Sequence, residues 1–279
     1  MIRRAALATL GAALLSGCGA GRAVVRAAER VHGCVDARVP PADGVRVERG
    51  AVLTAYVPDA VRYVLVIPNG ARKLDRVAYV LPGRGSSAVA ALAIGLDGFL
   101  AAYLRAGGRP FALALVDAGE SYFHPRTSGE DRLAFATIDL PKLVRDVLGT
   151  AVLHEALIGM SMGGYGALLA AEREPRRYRA VAVAGPAIFP SYEDERGSVG
   201  DAFDSAADFA RYDVIAHANA LRGRPVRIRC GQRDPFVPGV HAFARACPTA
   251  DVQVQPGCHD DGFWRTSAPS LLEFVGRHL

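Results

Sequence analysis

Lysine is almost missing from this chain: of its 33 basic residues, only Lys73 and Lys142 are lysines. Nothing replaces it as a phosphate-binding surface, because acidic residues are interspersed with the arginines and no long basic run or RNA-binding aromatic signature occurs. The net charge of +5 therefore implies no nucleic-acid partner, and the arginine bias fits a GC-rich genome better. No repeat at solenoid or propeller spacing is present. Paired Cys-x-x-Cys motifs and closely spaced histidines are also lacking, so no metal and no organic cofactor is expected. Glycine (30) and proline (17) are near average, which excludes collagen-like and low-complexity chains. What is present, 51% hydrophobic and 22% charged residues over 279 positions, suits one large α/β domain with a sizeable core.

The first residues, Met1-Ile2-Arg3-Arg4 followed by an apolar stretch over 5–15, form a secretory leader. That stretch is shorter than the roughly 20 residues a membrane-spanning helix needs. Leu15-Ser16-Gly17-Cys18 resembles a bacterial lipoprotein box, which implies lipidation of Cys18 and a mature protein anchored to a membrane of the cell envelope. Plain secretion is the alternative. Residues 1–18 are thus read as signal, 19–43 as a tether rich in Ala, Arg and Gly, and 44–279 as the domain. The remaining cysteines, Cys34, Cys230, Cys247 and Cys258, allow three pairings that sequence cannot separate. One of these would join Cys230 to Cys258 and tie two loops of the site together.

Two β-like segments at 51–57 and 61–67, with Pro58-Asp59 between them, suggest an antiparallel leading edge. Short apolar strands then alternate with helical patterns. Strands are expected at 77–81, 111–116, 156–159, 181–184, 226–230 and 252–254, and helices at 92–105, 141–148, 163–174 and 268–278. This alternation predicts a mostly parallel, twisted sheet covered by helices on both faces. A polar stretch over 190–224 interrupts it after the sixth strand and is read as an irregular insertion bordering a site.

Gly159-Met160-Ser161-Met162-Gly163 fits the G-x-S-x-G elbow, with an apolar strand before it and an alanine-rich helix after it. Such a turn lifts Ser161 above the sheet. The start of the helix offers N–H groups to developing negative charge. In the α/β-hydrolase fold the acid and then the histidine follow the serine in chain order. His259, after the last strand, is the expected base; His217, His241 and His278 lie in the insertion, in a helix and at the C-terminus. Asp234, in the turn leaving the strand at 226–230, is the expected acid, ahead of Asp260, Asp261, Asp204, Asp208 and Asp213. The oxyanion donors are expected at Met162 and at either Gly83 or Arg84, since Pro82 has no N–H.

With these residues the chain resembles the esterase D and mycolyltransferase family of α/β-hydrolases. The resemblance rests on the serine segment, on Gly257-Cys258-His259-Asp260-Asp261-Gly262-Phe263-Trp264, on Gly119-Glu120-Ser121-Tyr122-Phe123 and on Gly83-Arg84. It implies serine acyl-transfer chemistry on an ester or acyl-lipid substrate, with hydrolysis expected and transfer to a sugar or glycan as the alternative. Asp234 stands where mycolyltransferases carry a glutamate, which is closer to the hydrolase branch. Tyr122, Phe123, His124 and Trp264, with the insertion around 191–213, are the candidates for binding substrate. A third reading is an envelope lipoprotein that kept the fold for ligand binding only, against which the intact Ser161, Asp234 and His259 set argues.

Overall fold

The computed structural model describes residues 33–71 and 74–279. The leader, Cys18 and the first part of the expected tether lie outside the described residues. Eight strands form one sheet in the order β1-β2-β4-β3-β5-β6-β7-β8. The strands are β1 Val45–Val52, β2 Val61–Pro68, β3 Arg76–Leu81, β4 Ala112–Val116, β5 His154–Met160, β6 Tyr178–Ala184, β7 Val226–Gly231 and β8 Asp251–Gln255. β1 and β2 pair antiparallel, as does β2 with β4, and every pairing from β4 through β3 to β8 is parallel. This is an α/β-hydrolase fold with the antiparallel leading edge that the sequence suggested.

Strand residues alternate between two cores, as the period-2 geometry of a sheet buried on both faces requires. On one face Leu65, Val77, Tyr79, Leu81, Leu157 and Val183 pack against the helix Met162–Arg173 and the insertion. On the other, Val66, Ala78, Val80, Leu113, Ile158 and Ala182 pack against the helices Ala88–Ala93, Leu96–Arg105 and Asp261–His278. Among the described residues, no helix is long and apolar enough to cross a membrane.

Three expectations are corrected. The helix expected over 92–105 is two helices, because Gly95 breaks it in a left-handed conformation under the Val39 side chain. The insertion is not irregular: it folds into helices Tyr192–Ser198 and Ala206–Tyr212, each started by a serine (Ser191, Ser205) whose side chain accepts from the backbone N–H three residues on. The tether does not extend to residue 43. Arg105 donates to the carbonyls of Pro41 and Asp43, Asp36 pairs with Arg265 at 3.1 Å, and Cys34 is disulfide-bonded to Cys258, so 34–43 lies on the domain.

Candidate active site

β5 ends at Met160 and the next helix begins at Met162, leaving Ser161 alone to reverse the chain. Its φ of 54° and ψ of −123° make it the one non-glycine residue with positive φ among the described residues. Such a conformation costs about 1–3 kcal/mol and persists only where its surroundings enforce it. Here they do: the Ser161 N–H donates to Ala184 O at 3.2 Å, and its carbonyl accepts from Gly164, Tyr165 and Ala187. The flanking glycines are a steric requirement, since a Cβ on Gly163 would lie 1.9 Å from Leu81 O and one on Gly159 2.3 Å from Gly163 O.

The loop after β8 brings His259 over this turn, with Nε2 at 2.9 Å from Ser161 Oγ and Nδ1 at 2.7 Å from Asp234 Oδ2. Asp234, in the turn after β7, is buried, and its other oxygen accepts from Phe236 N at 2.9 Å. A carboxylate at Nδ1 favours the tautomer that leaves the Nε2 lone pair facing the serine hydroxyl. The imidazole is walled by Phe236 and Trp264, both edge-on with centroids 5.1 and 5.7 Å away. Gly185 completes the fit: a Cβ there would sit 2.5 Å from Asp234 Oδ2 and 3.1 Å from His259 Nδ1. The sequence reading missed Gly185, although Gly-Pro at the end of an apolar strand was its visible signal.

Residues 113–266, more than half of the chain, match the family model described as "Putative esterase". The chain belongs to this esterase family. No curated protein matches it by sequence. Among solved structures, a ferulic acid esterase superposes with a TM-score of 0.73 at 16% identity, over 84% of this chain and 99% of that one. An S-formylglutathione hydrolase from Agrobacterium tumefaciens gives 0.68 at 15% identity, over 88% and 99%. MPT51 (FbpC1) of Mycobacterium tuberculosis gives 0.67 at 13% identity, over 84% and 98%. At these identities the likeness is one of fold, and the family match is what identifies the chain as an enzyme.

In this esterase the loop after β3 runs beside the serine, where a Cβ on Gly83 would lie 3.3 Å from Ser161 Cβ. Gly85 N–H is taken by Gly119 O and Ser86 N–H by Gly83 O. The N–H groups of Met162 and of both candidates for the second donor, Gly83 and Arg84, have no hydrogen-bond partner among the described residues.

The substrate-binding expectation needs correcting. Tyr122, Phe123 and His124 are core residues rather than pocket lining. Phe123 fills the space left by Gly166, and Tyr122 packs among Tyr165, Phe189 and Phe203. His124 is stacked between Phe203 and Tyr212, with Nε2 2.8 Å from Ala202 O. Three aromatic rings in succession satisfied the sequence pattern of a pocket equally well as that of a core. Trp264, by contrast, stands against His259 at the site. The Cys230–Cys258 pairing is also overturned. Cys258 is bonded to Cys34, while Cys230 and Cys247 are free and buried. Burial, and then the neighbouring Asp234 carboxylate, push the Cys230 thiol well above its usual range, so it carries no thiolate near neutral pH.

Proposed function

We propose that this protein is a serine carboxyl-ester hydrolase in which Ser161 is the nucleophile, His259 the general base and Asp234 the group that holds the imidazole. The observation that supports this reading most directly is the unbroken relay Ser161–His259–Asp234, at 2.9 and 2.7 Å. Ser161 Oγ attacks the ester carbonyl carbon as its proton passes to His259 Nε2. The oxyanion takes hydrogen bonds from Met162 N–H and from Gly83 or Arg84 N–H. Collapse breaks the bond to the alcohol, which leaves with the proton from Nε2. Water, deprotonated by the same nitrogen, then releases the acid and restores Ser161. Ser161→Ala is expected to lower turnover of p-nitrophenyl acetate by at least about a thousandfold with the thermal midpoint retained. Turnover near the wild-type rate in that variant refutes the assignment.

The proposal extends to location. The box at Leu15-Ser16-Gly17-Cys18 supports export with a lipid anchor on Cys18. The Cys34–Cys258 bond fits it, because such bonds persist in oxidising compartments outside the cytosol. Radiolabelled palmitate is expected to enter the protein in bacterial cells and to be lost from Cys18→Ser. Equal labelling of both removes the anchor from this reading.

A further inference from the structure

Arg84 lies one residue beyond Gly83, on the loop that runs past Ser161, and its guanidinium is gripped from two sides. Nη1 and Nη2 donate to the two carboxylate oxygens of Asp201 at 2.7 and 2.8 Å, and Nε donates to Glu120 at 3.1 Å. Asp201 belongs to the insertion, 117 residues away in sequence. We propose that Asp201 is a positioning residue for acyl transfer, acting through Arg84 to hold the oxyanion loop in register with Ser161; this rests on the serine-hydrolase reading above.

An ion pair this exposed, with side chains 34% and 61% accessible, ordinarily contributes little, because two mobile side chains must be ordered to make it. Asp201 escapes that cost because its backbone is fixed independently. Arg126 donates to the carbonyls of Asp201 and Ala202 at 2.9 and 3.1 Å, and to the carboxylate of Asp204 at 2.9 Å. Ala202 N–H donates to the buried Glu195 at 2.8 Å, and Nε2 of the buried His124 lies 2.8 Å from Ala202 O. The Asp201 carboxylate is therefore presented from a rigid mount, and Arg84 is its only side-chain hydrogen-bond partner among the described residues, with the Arg126 charge acting on it from farther off. A two-pronged fork also fixes the direction of the guanidinium, which a single contact does not. The hydrogen bond from Arg84 leads in holding the Asp201 carboxyl below its usual range.

The tether matters because the loop must keep its N–H groups aimed at a charge that exists only during the reaction. Misplacing such donors weakens the transition state while leaving ground-state binding nearly untouched. Asp201→Ala is accordingly expected to lower kcat about fivefold to tenfold on p-nitrophenyl acetate, with KM within about twofold and the thermal midpoint unchanged. Asp201→Asn, which keeps the volume, is expected to fall between it and the wild type. Arg84→Ala is expected to lose at least as much, and the double variant Arg84→Ala/Asp201→Ala no more than Arg84→Ala alone, since the second change removes a group already disconnected. Wild-type kcat in Asp201→Ala, a change in KM alone, or a further loss in the double variant overturns the proposal. Ser161→Ala measured alongside separates the two readings. Turnover lost in that control but kept at the wild-type rate in Asp201→Ala overturns the positioning role only, whereas turnover kept in the control overturns both.

Discussion

On the helix that begins after Ser161, Glu172 turns its carboxyl inward, and neither oxygen has a hydrogen-bond partner among the described residues. Burial, and then the nearby Asp213 carboxylate, push it up from 4.5 to about 9. It is therefore protonated in the folded protein at neutral pH, whereas in the unfolded chain it ionises above the ordinary value. Between those two points the folded state binds the extra proton, so stability falls as pH rises, at no more than about 1.4 kcal/mol per pH unit. Glu172→Gln removes that titration. Its urea midpoint is expected to sit near the wild-type value at pH 4 and to rise progressively above it between pH 5 and 8. Parallel pH profiles for the two proteins would show that Glu172 does not carry the buried proton. Ser161 tolerates its backbone because its N–H is held by Ala184 at the end of β6 and its carbonyl by the first turn of its own helix and by Ala187, so the strain is fixed locally.

Elements were legible from sequence to the extent that their signals are local. The strands of the parallel core are short β-branched and alanine-rich runs between turns, and 77–81, 156–159 and 226–230 each fall inside an observed strand. β1 runs from Val45 to Val52, earlier than the expected 51–57. Val45-Arg46-Val47-Glu48 alternates apolar and charged residues as a half-exposed edge strand does, a weaker signal than the more apolar run after Gly50, yet Leu53 is 81% exposed beyond the strand's end. The final helix, expected from 268 on the apolar face of Leu271, Leu272 and Val275, begins at Asp261, with Pro269 an interior residue of its 18. The relay was legible for a different reason. A serine in an elbow, an acid after one strand and a histidine after the next are all consequences of chain order in a parallel sheet. The helices of the insertion, and the burial of Tyr122 to His124 beneath them, depend on what folds over the site, and no pattern within 119–124 carries that information. Asp201 belongs to the same class: only its pairing with Arg84, across the whole serine segment, gives it a role.

At the scale of the whole molecule, the bond between Cys34 and Cys258 closes 224 residues of sequence into a loop and seats the N-terminal segment beside the histidine. Two readings of this bond differ in outcome. If it mainly restricts the unfolded chain, its loss lowers stability by about 2–4 kcal/mol and leaves the folded geometry nearly intact. If it positions the imidazole, kcat falls instead. The contacts around His259 favour the first. Gln232 N–H donates to Gln255 O and Arg233 N–H to Gly257 O, which fasten the histidine loop to the turn bearing Asp234. Asp260 caps the following helix by accepting from Phe263 N–H at 2.8 Å, and Phe236 and Trp264 brace the ring. The segment before β1 is held beside the disulfide by the Asp36–Arg265 pair, the Arg105 contacts at Pro41 and Asp43 and the packing of Val35, Ala37 and Val39, none of which touches the imidazole. Cys34→Ser is therefore expected to lower the urea unfolding free energy by about 2–4 kcal/mol. It is also expected to expose residues 33–43 to protease while kcat on p-nitrophenyl acetate stays within about twofold at 25 °C, a change under 0.5 kcal/mol in the barrier. A collapse of kcat at unchanged stability would mean instead that the bond acts on the reacting imidazole, and that the N-terminal segment belongs to the machinery of the site.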